Sequence, residues 1–79
     1  MKIISLKDLG KFALLRSGEI VEIKSIEFHR HKKQYLPEME LQINEEEIYH
    51  DLFTRAGKSK RDANFDIIQI YDSKTLSYI

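Results

Sequence analysis

The sequence predicts a mostly β fold in one small domain, and three observations point that way. Eleven Ile, four Phe and four Tyr against three Ala weight the 79 residues toward strand formers. Apolar and polar residues alternate in runs that end at short polar turns. Only three Gly and one Pro punctuate the chain, and no low-complexity linker interrupts it, so the runs follow one another closely.

The elements follow in order. Met1–Leu6 reads as a short strand, or Leu6-Lys7-Asp8-Leu9 as one helical turn stopped at Gly10. Phe12-Ala13-Leu14-Leu15 is an apolar strand closed by Arg16-Ser17-Gly18-Glu19, a tight turn whose Gly takes positive φ. From Glu19 to Phe28 the apolar positions are Val21 and Ile23, then Ile26 and Phe28. The phase slips by one across Lys24-Ser25, as a β-bulge requires. His29 to Gln34 reads as a basic loop. Tyr35, Pro37, Met39, Leu41 and Ile43 then share one face of a strand, with Leu36, Glu38, Glu40 and Gln42 on the other. Pro37 places this strand at an edge, or itself among the strand's first residues.

Asn44 to Gly57 carries conflicting signals. Asn44 with Glu47 makes a capping-box pattern, and Ile48, Tyr49, Leu52, Phe53 and Ala56 form a helical stripe. The local pattern therefore favours a helix of two to three turns over 45–55, although the same residues are strand-prone and Asn44-Glu45-Glu46 also reads as a hairpin turn. Phe65 to Tyr71, with Ile67, Ile68 and Ile70, reads as a buried strand, and 73–79 as a tail or a further edge strand carrying Leu76 and Tyr78.

Three stretches resemble small SH3-like β-barrel proteins of phages and prophages. They are the turn and strand Leu15-Arg16-Ser17-Gly18-Glu19-Ile20-Val21-Glu22-Ile23, the strand Tyr35-Leu36-Pro37-Glu38-Met39-Glu40-Leu41, and Thr54-Arg55-Ala56-Gly57-Lys58 with Phe65-Asp66-Ile67-Ile68. The likeness spans residues 12–71, and Ala56 stands where such proteins commonly carry an acid before the Gly-basic pair. It implies an SH3-like barrel of about five strands, a strand rather than a helix at 44–54, and a mobile-element origin. The alternative is an α+β domain that keeps the helix.

Size and residue content limit the chemistry. A chain this short buries only roughly 60–65% of its unfolded surface, which leaves little room for a deep catalytic pocket. No Cys is present, so disulfides, thiolate catalysis and Cys-based zinc sites are excluded. There is no phosphate-binding glycine loop and no nucleophile elbow, and no enzymatic activity or cofactor is expected. His29-x-His31 offers two nitrogens, with His50 the one other His. A stable site needs more ligands, so these histidines read as incidental to a charged loop and no metal is expected. The apolar runs are too short to span a membrane, and Met1–Ile4 is too short for a signal core, which sets the expectation of a cytoplasmic protein.

Thirteen Lys and Arg balance thirteen Asp and Glu, but they are segregated along the chain. Arg30, Lys32 and Lys33 lie between Phe28 and Tyr35, and Arg55, Lys58, Lys60 and Arg61 surround Gly57. Glu38, Glu40, Glu45, Glu46, Glu47 and Asp51 form an acidic strip without Lys or Arg. Such segregation suits a macromolecular interface or head-to-tail self-association. The leading expectation is a non-enzymatic binding protein of phage type that occupies or sequesters a host target, for instance in counter-defence. In that reading the acidic strip and basic loops orient a protein partner, and exposed aromatics, Tyr49 and Tyr78 foremost, supply burial. The alternative is a nucleic-acid or nucleotide module. There Arg30, Lys32, Lys33, Lys58, Lys60 and Arg61 would hold phosphates, while Phe28 or Tyr35 stacks on a base.

Overall fold

The computed structural model describes residues 3–72. Five strands form: β1 (Phe12–Leu15), β2 (Ile20–His31), β3 (Gln34–Gln42), β4 (Ile48–Leu52) and β5 (Ile67–Tyr71). Short 3-10 turns stand at Leu6–Asp8 and Ala63–Phe65. All neighbouring strands pair antiparallel in one sheet of order β4-β3-β2-β1-β5. The fold is mostly β and barrel-like, in agreement with the class the sequence predicts.

The turns form where local chemistry demands them. Gly18 adopts a φ of +99° while its N–H donates to the Leu15 carbonyl at 2.9 Å, which reverses β1 into β2. Ser5 caps the first 3-10 turn in a reciprocal box with Asp8, which ends before Gly10 (φ +85°). The bulge expected at Lys24 is present: the β2–β3 register shifts between Ile23 and Ser25. Val21 and Ile23 face the core before it, and Ile26 packs against the same core after it.

Three expectations need correction and a fourth is narrowed. The basic stretch is not a loop, because β2 runs to His31 and β3 starts at Gln34, leaving a two-residue turn with Lys32 at a φ of 59°. β3 lies between β2 and β4, so of the two placements offered for Pro37 the edge fails and the position near the strand's start holds. Pro37 fits there because β4 has already ended: the ladder pairs Glu38 with Leu52, and Pro37 only accepts a bond from the Phe53 N–H at 2.8 Å. No helix forms over 45–55. Asn44 does accept a backbone N–H, but from Glu46 at 2.9 Å, closing a turn rather than capping a helix. Finally, Ile68 is exposed, because the β1–β5 register shifts opposite Leu14/Leu15 and leaves it as the extra residue. The expected tail strand at 73–79 lies outside the described residues.

One hydrophobic core, centred on Leu15, Ile23, Met39, Leu41 and Phe53, fills the concave side of the sheet. The segment between β4 and β5 draws the two sheet edges together. Phe53 bridges to Ser59, and the Ile67 N–H donates to the Gly57 carbonyl at 2.7 Å. The N-terminal segment is pinned to the same place, since the Ile4 N–H donates to the Arg55 carbonyl at 2.7 Å. Arg55 is thereby set beside the β2–β3 hairpin. No helix among the described residues is long and apolar enough to cross a membrane.

Candidate binding groove

Period-2 alternation after the bulge puts Ile26, Phe28 and Arg30 on the concave face of β2. The register sets Phe28 opposite Pro37 and Arg30 opposite Tyr35. Phe28 and Tyr35, which flank the basic stretch in sequence, therefore lie on the same side of the hairpin. Ser5, Leu6 and Lys7 of the first 3-10 turn and Arg55 complete a shallow groove of about 480 Å³ with them. The Arg55 guanidinium lies over the Phe28 ring, 5.5 Å from its centroid. Such a contact contributes about 0.5–1 kcal/mol at an exposed site. Leu6 and Tyr35, which line the same groove, are more than half exposed. No acidic residue lines the groove. Among the described residues, Lys7, Arg30 and Arg55 form no ion pair.

The two basic clusters contribute unequally. Arg30, Lys32 and Lys33 are exposed at the hairpin end, where the Arg30 Nε–H donates to the Lys32 carbonyl at 3.3 Å. From the second cluster, Arg55 reaches the groove. Lys58 instead lines a separate hollow along β5 with Arg16, Ala56 and Asp66, and Lys60 borders solvent away from the groove. Arg61 is engaged within the fold: it donates to the His50 carbonyl at 2.7 Å and lies 4.9 Å from the Tyr49 ring centroid. It is therefore not a free phosphate contact. Nothing local in the sequence links residues 7, 28 and 55, so Lys7 and Arg55 are not assignable to the groove from sequence alone.

Two further expectations are overturned by burial. Tyr49 is not an exposed anchor but stacks on Phe65, with ring centroids 3.7 Å apart and planes 4° from parallel. Burial holds its phenol above the usual value, reinforced by Asp51 and opposed by Ser59 and Arg61. Asp51 does not belong to a surface strip, since its side chain is only 5% exposed. It accepts from the Tyr49 hydroxyl at 2.9 Å, the Leu52 N–H at 2.7 Å, the Arg61 N–H at 3.1 Å and the Ser59 hydroxyl. Burial alone would raise its carboxyl pKa, but these donors outweigh it and hold the group below its usual value. Asp8 and Asp66, also buried, serve neighbouring backbone in the same way: Asp8 accepts from Ser5, and Asp66 from Ser59.

The rest of the acidic strip divides. Glu45, Glu46 and Glu47 are exposed in the β3–β4 turn. Glu38 and Glu40 lie half-buried on the convex face of β3, where Glu40 accepts from the Ser25 hydroxyl at 3.2 Å. Tyr78 lies outside the described residues.

No family model, curated protein or solved structure matches the chain. Fold and groove together define a small β-rich domain with an exposed, partly apolar and cationic surface groove.

Proposed function

We propose that the protein is a non-enzymatic binding module that occupies or sequesters a host protein, with the Phe28–Tyr35–Arg55 groove as its contact surface. The observation that carries this reading is the meeting of exposed apolar side chains with unpaired cations and no carboxylate in one groove. A partner segment combining an apolar or aromatic side chain with an acid would bury the first against Leu6, Phe28 and Tyr35. The acid would meet Lys7 or Arg55. The buried aspartates support a role without catalysis, since each is engaged with neighbouring groups of the fold. Likeness of sequence pattern to phage barrel proteins favours a mobile-element setting, counter-defence among the roles it offers, and a cytoplasmic location in the host.

A protein partner is favoured over nucleic acid by the distribution of cations. A phosphate backbone needs a track of free Lys and Arg, whereas Lys58 borders another hollow and Arg61 is tied into the fold.

The test is recovery of the tagged protein from its native host, with Tyr35→Ala/Arg55→Glu compared in parallel and Ile68→Asp as an off-groove control. A protein partner retained by the control and lost by the double variant supports the reading. Recovery of only free monomer refutes it. Gel shifts with single- and double-stranded DNA and RNA at low salt give the other arm. Binding that falls linearly in log K against log salt, and disappears with Lys32→Glu/Lys33→Glu, would replace it with the nucleic-acid reading.

A further inference from the structure

The convex face of the same hairpin carries a second constellation, independent of the groove. Alternation that turns Phe28 and Arg30 inward turns Glu27 and His29 outward. Glu27 of β2 lies directly opposite Glu38 of β3. Two like charges in that position destabilise a sheet. The His29 ring lies between them: its Nε2 is 2.7 Å from one Glu38 oxygen and 3.2 Å from Glu27. His50 reaches across from β4, where it pairs with Glu40, and its Nε2 sits 2.8 Å from the other Glu38 oxygen. The ligand atoms of Glu27, His29 and Glu38 all lie within 4.8 Å of one another.

The geometry points to a binding site for a divalent transition-metal ion of the zinc type, with Glu27, His29 and Glu38 as ligands and His50 positioning the Glu38 carboxylate. Nitrogen and carboxylate donors sit about 2.0–2.2 Å from such an ion, so two of them on one tetrahedral centre lie about 3.4 Å apart. The observed separations of 2.7 and 3.2 Å need only a small opening of these side chains for an ion to enter between the ring nitrogen and the two carboxylates. One imidazole with two carboxylates suits Zn²⁺ over Mg²⁺ or Ca²⁺, which prefer all-oxygen sets. Three protein ligands leave a coordination position for water or for a donor from another molecule. The second ring contact, His50 on the far oxygen of Glu38, matches the outer hydrogen bonds that hold metal-bound carboxylates in orientation. His31, the histidine that sequence spacing pairs with His29, is not part of the cluster. The other ligands are Glu27, two residues away on the same strand, and Glu38 of β3, which only the register brings alongside.

Calorimetric titration of the chelator-treated full chain with ZnCl₂ at pH 7.5 tests this, alongside MgCl₂ and CaCl₂, with circular dichroism confirming the fold of each variant. One Zn²⁺ per chain is expected, with no heat from Mg²⁺ or Ca²⁺. His29→Ala and Glu38→Gln should each weaken binding at least tenfold. His50→Ala should weaken it about tenfold at unchanged stoichiometry. His31→Ala should leave it unchanged. No Zn²⁺ binding at millimolar metal, or binding that survives His29→Ala or is lost with His31→Ala, would overturn the assignment.

Discussion

Replacing Asp51 by Asn keeps the shape of the side chain and removes one acceptor oxygen. In the native protein one oxygen receives the Leu52 N–H, and the other receives the Tyr49 and Ser59 hydroxyls and the Arg61 N–H. The hydroxyls can rotate to accept from an amide, but a backbone N–H cannot. In either orientation the new side chain's amino group therefore points at a backbone donor, that of Leu52 or that of Arg61. Losing a charge-assisted bond costs about 1.5–3 kcal/mol, and the stranded donor adds to it, so Asp51→Asn should lose about 2–4 kcal/mol at pH 7. For a domain of this size that lowers Tm by about 10–25 °C, read from circular dichroism melts. The same measurement at low pH separates charge from shape. The carboxyl pKa is lower in the folded protein than its ordinary value of 3.8, so its contribution is present above that value and is lost as pH falls through the folded one. Wild type should lose stability below about pH 4 while the variant loses less, and the gap should narrow. A Tm drop under about 3 °C at pH 7 would refute the structural role of Asp51, as would a gap that stays constant down to low pH.

Two further outcomes follow from the packing. Gly18 and Gly57 both hold positive φ, +99° and +93°, but a Cβ at Gly18 meets open space whereas one at Gly57 comes within 3.1 Å of Ile67. Gly18→Ala should cost about 1 kcal/mol and Gly57→Ala about 2–3 kcal/mol in urea unfolding; equal costs would mean that Ile67 does not press on the turn. Phe53→Ala should lose about 3–5 kcal/mol, because that ring is fully buried, while Tyr35→Ala should stay within about 0.5 kcal/mol. A large loss at Tyr35 would make that residue a structural one and remove it from the groove.

The sequence shows the sheet where alternation is unbroken and misleads where a polar residue occupies a core position. β1, β2 with its bulge, and most of β3 are readable because Ala13, Leu15, Val21, Ile23, Met39 and Leu41 keep the period of two. β4 hides its period because its inward positions are Tyr49 and Asp51, followed by Phe53 just past the strand's end. With a carboxylate in the middle place, the remaining apolar residues fit a helical stripe instead. Nothing local reveals that four donors from Tyr49, Leu52, Ser59 and Arg61 make a buried aspartate acceptable there. The basic stretch between Phe28 and Tyr35 is legible as an unusual cluster, and the register does place both aromatics on one face. Arg55 is not assignable to it from sequence, because its position depends on the Ile4–Arg55 backbone bond and on the closure of the sheet.

Segregated charge along the chain becomes segregation between the two faces of one hairpin, and the bulge at Lys24 decides which residue goes where. Without the extra residue, the strand beyond Ile23 would keep its odd-numbered phase and turn Ser25, Glu27 and His29 toward the core. Phe28 and Arg30 would then stand on the convex face, opposed to the wrong side of β3. The one-residue slip instead sends the Phe28 ring toward Arg55 and the groove, and the carboxylate and imidazole groups toward Glu38 and His50. Both candidate sites therefore depend on a single local irregularity. A bulge kept in the longest strand, at the cost of a continuous ladder, accounts for how a chain of zero net charge presents a cationic groove and an imidazole–carboxylate face on opposite sides of two strands.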